Sequence, residues 1–306
     1  MTLSDDVRSE LAAIDPRRAC CRLAELSALI RTAGTVHLRG RGRVGVHLEV
    51  SSPAVARRTF SLLRSYGVPC EIRSFRQQAF ARAQRFQLHL GEEARALQAL
   101  NEAGILDERL MPVERPRDQL VARTCCRAAY LRGALLAGGS VSGPRHAHLE
   151  LRSATADGAA FLAQLAAAEG LDLAVAERRG HALAYAKATD DVAELLAFVG
   201  AHEAALRLEE SAVLGATRAR ANRLANADHA NIARASRAAD AQLQAIARLE
   251  AAGALDHVSR ELREMADLRR RHPTLSLREL ARKCRPPATK AVAQRRLAKL
   301  QRLAER

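Results

Sequence analysis

Residues 20–34 read CCRLAELSALIRTAG, and residues 125–139 read CCRAAYLRGALLAGG. When each stretch is extended by two residues, seven of 17 aligned positions are identical. The match resumes downstream, where HLEV at 47–50 aligns with HLEL at 148–151. Such a repeat indicates two copies of one structural unit, at about 20–104 and 125–200. We therefore predict a first domain over residues 1–214, built as a pseudo-twofold pair.

Both copies show the same order of secondary structure. An apolar helix ends at Gly34 in the first copy and at Gly139 in the second, and a strand pair, a helix, another strand pair and another helix follow. Strands joined by short turns pair as antiparallel hairpins. The predicted unit is αββαββα, which puts the domain in the α+β class. The pseudosymmetry sets the two leading helices against each other, and the glycines at their ends allow either a close approach of the helices or a turn of the chain at positive φ.

Positive charge is concentrated at the other end of the chain. The 306 residues include 49 Lys+Arg and 34 Asp+Glu, a net charge of +15 that favours a polyanionic partner. Residues 258–306 contain fifteen Lys+Arg and five Asp+Glu, so they carry +10 of this surplus. Aromatic residues make up only 3% and Trp is absent, which argues against a single-strand binder that stacks bases on exposed rings.

The basic region has the pattern of a helix-turn-helix. Ser276 and Glu279 match a capping box, which predicts a helix beginning at Leu277, and Pro286-Pro287 prevents its continuation. The next helix has an apolar side and an opposite basic side. The second helix of such a motif enters the major groove of DNA. A solvated basic face on an ordinary helical hairpin is the alternative. We predict that residues 215–306 are a helical linker and this all-α domain.

Candidate DNA contacts follow from the motif. Base edges are expected to face Thr289, Lys290, Gln294 and Arg295, and phosphates to face Lys299 and Arg302. Ser276, Arg278 and Arg296 complete the predicted DNA-binding set. A second set of candidates for contact with DNA or a partner comprises Arg39, Arg41 and Arg43 in the first hairpin, and Asn222, Arg223 and Asn226 in a long helix predicted over Ala216–Glu250. Side-chain bonding to the backbone is an equal alternative for the two Asn.

Other site classes have weaker support. The six cysteines comprise the pairs Cys20-Cys21 and Cys125-Cys126 and two isolated residues, without the C-x2-C spacing of zinc sites. We therefore expect inert thiols, no metal and no cofactor. The chain lacks an 18-residue apolar stretch, and its first residues do not resemble a secretory signal. A soluble, cytoplasmic, nucleoid-associated protein without a membrane partner is expected.

The leading helices resemble the LAGLIDADG motif of homing endonucleases. Residues 131–139, LRGALLAGG, lie over the motif, and residues 26–34 do so more weakly. In those enzymes an acid before the final Gly holds the divalent cation for phosphodiester cleavage. Ala33 and Gly138 stand at these positions here. The resemblance thus implies the fold without the nuclease site, and no catalytic residue is predicted. Glu49 and Glu150 are related acids on strands, and alternating exposure explains them.

The whole chain resembles the WhiA family of sporulation transcription regulators. The matching features are the two Cys-Cys-Arg repeats, YLRGALLAGGSV at 130–141, NRLAN at 222–226, and LREMA at 262–266 followed by Pro286-Pro287. The resemblance implies binding to promoter DNA, control of sporulation or cell division, and no nuclease activity. It also implies, for some members, action with a WhiB-type iron–sulfur regulator. The family usually has Ser, Asn and His where Thr289, Gln294 and Arg295 stand, so its promoter sequence is not carried over.

Three functions from different classes remain at this point. The favoured one is a sequence-specific, double-stranded DNA-binding regulator of sporulation and cell-division genes that is not an enzyme. The second is a metal-dependent LAGLIDADG nuclease or RNA maturase that uses the first domain. The third is a cell-division adaptor that acts through protein contacts.

Overall fold

The computed structural model describes residues 2–38, 44–76, 84–91, 93–143 and 146–305. It divides into two compact units, Met1–Gly215 and Ala216–Arg306. The first unit mixes helices with antiparallel sheets, and the second is helical. This confirms the predicted α+β class with a C-terminal all-α region.

The first unit begins with helix α1 (Leu3–Ala13) and the first repeat. The elements of this repeat are α2 (Ala19–Ala33), β1 (Gly34–Leu38), β2 (Val44–Val50), α3 (Pro53–Ser65), β3 (Cys70–Arg76), β4 (Gln84–Leu90) and α4 (Ala94–Glu102). The strands form an antiparallel sheet in the order β1-β2-β4-β3. In its register Val46 pairs with Val36 on one side and with Leu90 on the other.

The second repeat has the same architecture. Its elements are α5 (Thr124–Gly138), β5 (Ser140–Ser142), β6 (His148–Ser153), α6 (Ala156–Ala167), β7 (Ala174–Arg178), β8 (His181–Ala186) and α7 (Thr189–Val199). The sheet order β5-β6-β8-β7 repeats that of the first sheet. The predicted αββαββα duplication is therefore confirmed.

A helix of 50 residues, α8 (His202–Ala251), follows the second repeat. It passes through Gly215, where the sequence placed a boundary, without a break. A single glycine costs a helix only about 1 kcal/mol relative to Ala, and helix-forming residues flank it on both sides. The chain turns instead at Gly253, whose φ of +67° is in the left-handed region that favours glycine.

Helices α2 and α5 pack too closely for a side chain at Gly133. A Cβ at this position would lie 2.5 Å from the carbonyl oxygen of Glu25 and 2.9 Å from the Cβ of Ala28. Near the ends of the helices, a Cβ at Gly138 would lie 2.6 Å from Cγ2 of Thr32. The opposing atom at Gly133 is backbone, so a rotamer change cannot relieve the overlap. Glycine therefore sets the distance between the two repeats.

A buried ion network crosses the same contact. The side chain of Glu25 has no exposed surface. Its Oε1 accepts a hydrogen bond from Nε of Arg58 at 2.7 Å, and its Oε2 accepts one from Nε of Arg132 at 2.9 Å. Arg132 also donates to the carbonyl oxygen of Val199 at 3.1 Å. One carboxylate thus joins α2, α3 and α5, and the two arginines supply the partners that a buried charge requires.

The first prediction concerns Gly133. Gly133→Ala should lower the free energy of unfolding by about 1–3 kcal/mol, because the new methyl group overlaps the backbone of α2. Gly215→Ala is the matched control, since a Cβ there meets no atom within 4 Å and Ala is the better helix former. Urea unfolding followed by circular dichroism measures both. Equal stability of Gly133→Ala and the parent chain would contradict the helix contact.

The second prediction concerns Glu25. Glu25→Ala should lower the free energy of unfolding by about 3–5 kcal/mol, because it leaves two buried arginines without their carboxylate. Glu71→Ala removes a carboxylate that contacts Arg73 at 2.9 Å, but both of these side chains are exposed, so no measurable change is expected. Denaturant titration of the two variants makes the comparison, and a similar loss in both would refute the role of the buried network.

Candidate nucleic-acid interface

The second unit folds around a small core of its own. Its helices are α9 (Arg260–Arg271), α10 (Leu277–Lys283) and α11 (Lys290–Ala304), together with the end of α8. The buried side chains of this core are Ile246, Leu249, Leu262, Met265, Ala266, Leu280, Ala281, Cys284, Ala293, Leu297 and Leu300. This core holds α11 against α9 and α10 and so decides which side of α11 is left exposed.

Side-chain caps begin both helices of the motif. Oγ of Ser276 accepts a hydrogen bond from the backbone N–H of Glu279 at 3.3 Å, and Oε2 of Glu279 accepts one from the N–H of Ser276 at 2.8 Å. The predicted capping box is therefore confirmed. Oγ1 of Thr289 likewise accepts from the N–H of Val292 at 3.3 Å. The hydroxyls of two predicted DNA contacts thus stabilise helix starts.

The exposed side of α11 is basic. Ala293, Leu297 and Leu300 are buried. Arg295, Lys299 and Arg302 are exposed, at a spacing of four and three residues that keeps them on one side of a helix. Lys290 and Gln294, near the N-terminus of α11, and Arg278, near the N-terminus of α10, are also exposed. Most of the predicted contact set therefore lies at the surface of the motif.

Arg296 differs from its neighbours because it is half-buried. It lies near the Cys284 thiol at the end of α10: burial and the Glu264 carboxylate raise the pKa of this thiol, whereas Arg296 lowers it. Oε1 of Glu264 in turn accepts a hydrogen bond from the N–H of Arg285 at 2.7 Å. The structure thus puts Arg296 beside the contact between α10 and α11, apart from the exposed cations.

Sequence reasoning missed the role of Arg269. This residue is only 3% exposed, and its Nη1 donates to the carbonyl oxygens of Pro273 at 3.2 Å and Leu275 at 2.8 Å. Burial lowers the pKa of its guanidinium. Arg269 follows Leu262, Met265 and Ala266 at core spacing, and this spacing is the signal that could have identified it. It holds the loop that leads into α10.

A basic groove lies beside α9 and the end of α10. Cations outnumber the two acids, Glu264 and Asp267, in its lining. The cationic lining residues are Arg260, Arg263, Arg271, Arg282, Lys283 and Arg285. The sequence showed this charge only as an excess over residues 258–306, because the groove forms when separate helices come together.

The remaining candidates are more scattered. Asn222, Arg223 and Asn226 are exposed on α8. Arg39, Arg41 and Arg43 lie outside the residues that the structure describes.

Three arginines on the sheets of the first unit contact acids. Arg73 contacts Glu71 at 2.9 Å, Arg85 contacts Glu49 at 4.0 Å, and Arg178 contacts Glu150 at 3.2 Å. These carboxylates reduce the positive potential that a sheet can offer to phosphates.

Glu150 corrects the expectation of alternating exposure. It is only 8% exposed, and its Oε1 lies 2.7 Å from Nε2 of His148. Burial acts to raise the pKa of this carboxyl, but the hydrogen bond to His148 and the charge of Arg178 outweigh it and hold the pKa below its usual value. The expectation failed because large side chains surround Glu150 on its side of the sheet. Tyr185 pairs with Glu150 in the register, and the Tyr185 ring lies near His148.

The positions of the nuclease acids lie at the ends of the helix pair. Ala33 is the last residue of α2, and Gly138 is the last residue of α5. Neither side chain can ligate a cation, and the close contact of Gly138 with Thr32 leaves no room for a larger residue without movement.

These features define a class of protein, a LAGLIDADG-type scaffold joined to a helix-turn-helix unit. Family models match as "WhiA N-terminal LAGLIDADG-like domain" at residues 19–106, "WhiA LAGLIDADG-like domain" at 127–218 and "WhiA C-terminal HTH domain" at 221–304. The chain belongs to the WhiA family.

Curated relatives and solved structures agree with this assignment. "Probable cell division protein WhiA" of Symbiobacterium thermophilum is 37% identical over 307 residues, covering 100% of this chain and 98% of that protein. The relative of the same description from Heliobacterium modesticaldum is 34% identical, with 100% and 96% covered. Full-length DUF199/WhiA from Thermatoga maritima matches the fold with a TM-score of 0.60 at 20% identity, covering 100% of this chain and 98% of that one.

Among the residues that the structure describes, no helix is both long enough and apolar enough to cross a bilayer.

The third prediction concerns Arg269. Arg269→Ala should speed amide exchange over residues 272–284, because two loop carbonyls lose a charged donor worth about 1–3 kcal/mol. Arg271→Ala, which removes an exposed arginine from the same helix, serves as the control and should leave exchange unchanged. Hydrogen–deuterium exchange with peptide-level mass spectrometry gives the readout, and equal protection in both variants would argue against the anchor.

Proposed function

We propose that this protein is a sequence-specific DNA-binding regulator that recognises duplex DNA through α10 and α11. The observation that carries the proposal is the basic side of α11, with Arg295, Lys299 and Arg302 exposed opposite a buried apolar side. A helix with this division can lie in the major groove while its core face stays packed. The charge excess of residues 258–306 supplies the attraction to phosphates.

Within this proposal some residues contact bases, some contact phosphates and others hold α11 in position. Lys290, Gln294 and Arg295 lie in the first half of α11, which enters the groove first, and read base edges. Lys299 and Arg302 follow one and two turns later and contact phosphates. Ser276 lies at the start of α10, where its hydroxyl caps the helix, and the exposed Arg278 contacts a phosphate. Thr289 and Arg296 act mainly by holding α11 in place.

We further propose that the protein is not a nuclease. Ala33 and Gly138 replace the carboxylates at the helix ends, and two-metal cleavage of a phosphodiester needs oxygen ligands there. The regulated genes are inferred to include those of cell division, because the relatives are called probable cell division proteins; the inference to sporulation genes rests on the family resemblance alone. On this view the protein is cytoplasmic and associated with the nucleoid.

The first unit, which corresponds to the predicted domain over residues 1–214, is proposed to serve as a scaffold and a contact surface. Arg39, Arg41 and Arg43, and Asn222, Arg223 and Asn226 on the linker helix, remain proposed contacts for DNA or a partner. A WhiB-type iron–sulfur partner rests on the family resemblance alone.

One observation favours the adaptor function as a second candidate. Strand β3 lies at the edge of its sheet and exposes Ile72 (38%) and Phe75 (39%). The corresponding edge strand of the second repeat, β7, exposes Val175 (44%). Apolar side chains on an edge strand suit a protein partner better than they suit phosphates.

The fourth prediction tests DNA recognition by full-length protein. Selection from a random-sequence duplex library yields the preferred site, and fluorescence anisotropy then measures affinity for it against salt. Arg295→Ala/Lys299→Ala/Arg302→Ala should weaken binding by at least about 100-fold and lower the slope of log affinity against log salt by about 2, because two phosphate contacts and a base contact are lost.

The control is Arg57→Ala/Arg64→Ala/Arg109→Ala. It removes the same charge from exposed positions of the first unit and should change affinity by less than about threefold at moderate salt. Equal losses in the two triple variants would contradict recognition by α11. Failure of the library to yield any enriched sequence would contradict sequence specificity.

A further inference from the structure

Four cysteine sulfurs from the two repeats meet at one point of the first unit. The Sγ atoms of Cys20, Cys21, Cys125 and Cys126 all lie within 4.8 Å of one another. Four thiolates around a tetrahedral zinc ion, at a Zn–S distance of about 2.3 Å, lie roughly 3.8 Å apart. Small side-chain movements therefore suffice to bring the four sulfurs onto one ion. The spacing of the cysteines along the chain did not predict this cluster, because it is the pseudosymmetry that brings together two pairs 105 residues apart.

We propose that Cys20, Cys21, Cys125 and Cys126 form a structural metal site that binds one thiophilic divalent cation, Zn²⁺, between the two repeats. Each repeat contributes one adjacent pair, so the site is complete only when both repeats are folded and packed together. Binding converts four thiols to thiolates, releases four protons and leaves a complex of net charge −2.

The backbone around the site favours this negative charge. Cys20 and Cys21 are the second and third residues of α2, and Cys125 and Cys126 hold the same positions in α5. Two helix N-termini therefore direct their positive ends at the sulfurs. The N-cap residues, Arg18 and Arg123, make no side-chain hydrogen bond to the first turn of either helix. In these first turns the N–H groups of Cys21 and Cys126 donate to the carbonyl oxygens of Arg18 and Arg123 at 3.1 and 2.9 Å, so it is the dipole of each helix that favours the thiolates.

Cationic side chains add to the same effect. Nη1 of Arg18 lies 3.5 Å from the Sγ of Cys125 and donates a hydrogen bond to it across the repeat boundary. A zinc–tetrathiolate complex is most stable where nearby donors and cations offset its charge. The inner sulfurs, Cys21 at 7% exposed and Cys126 at 2%, are shielded from solvent, whereas Cys20 and Cys125 are partly exposed and give the ion a path of entry.

A metal accounts for the cluster better than disulfides do. Disulfides would join the four sulfurs only in pairs, whereas here every sulfur lies within 4.8 Å of the other three. Cys125 and Cys126 are adjacent in a helix with their sulfurs 4.0 Å apart, about twice a disulfide bond length. Disulfides between the helices would also need an oxidant. A cation joins all four thiols without a change of oxidation state.

The site is distinct from the lost nuclease centre. Nuclease cations would lie at the C-terminal ends of α2 and α5, near Ala33 and Gly138, whereas the cysteines lie at the N-terminal ends. A helix of 15 residues separates the two places by about 20 Å. Sulfur ligands also select soft ions over the Mg²⁺ that cleavage requires. The proposed ion therefore clamps the helix pair instead of acting on DNA.

The fifth prediction tests this with reduced full-length protein, stripped by a chelator and reloaded with Zn²⁺ or Co²⁺. The parent chain should retain a single equivalent of Zn²⁺ after gel filtration, and Co²⁺ should give the intense thiolate charge-transfer and tetrahedral ligand-field bands. Cys20→Ser/Cys125→Ser should lose both signals. Cys70→Ser, at a cysteine outside the cluster, is the matched control and should retain them.

Thermal unfolding supplies a second readout, which compares each protein with and without Zn²⁺ and so does not require the cysteine double variant to fold. Removal of Zn²⁺ should lower the Tm of the parent chain and of Cys70→Ser. The proposal is overturned if the reduced parent chain retains no Zn²⁺, or if the double variant retains as much as the parent. It is also overturned if thiol counting on anaerobically purified protein shows the four cysteines already joined as disulfides.

Discussion

The close packing of α2 against α5 is the contact on which the first unit depends. Gly133 brings the two backbones closer than any side chain would permit, and at the same level Glu25 holds Arg58 and Arg132 in a buried network. Because β1 starts where α2 ends and β5 starts where α5 ends, this helix pair also sets the placement of both sheets. A loose fit here would separate the repeats and leave a carboxylate and two guanidinium groups buried without partners.

Charge is used differently in the two units. On the sheets of the first unit, several arginines contact carboxylates: Arg85 contacts Glu49 of the neighbouring strand, and Arg178 on β7 reaches Glu150 on β6 across β8. On α11, Arg295 and Lys299 are exposed on the side opposite the core. Most of the net charge of +15 is therefore carried by the helical unit, and this supports the proposal that the helical unit is the part that binds DNA.

The two ends of the central helix pair have separate chemistry. At the C-terminal ends, Ala33 and Gly138 stand where the endonuclease scaffold carries its acids. At the N-terminal ends, four sulfurs converge. With the proposed ion bound, the helix pair carries a sulfur-bound cation for structure at one end, where the resemblance to homing endonucleases implies oxygen-bound cations for cleavage at the other. Helix polarity favours this location, since the positive helix ends stabilise thiolates.

The sequence by itself determined the repeat, the order of elements, the capping box at Ser276 and the location of the positive charge. These features depend on local patterns, because hydrophobic periodicity, turn residues and capping residues act over a few neighbouring positions. The tertiary structure alone decided that Glu25 pairs with Arg132 and that Cys20 meets Cys126. Such pairings join residues about 100 positions apart in the chain, and local sequence carries no direct record of them.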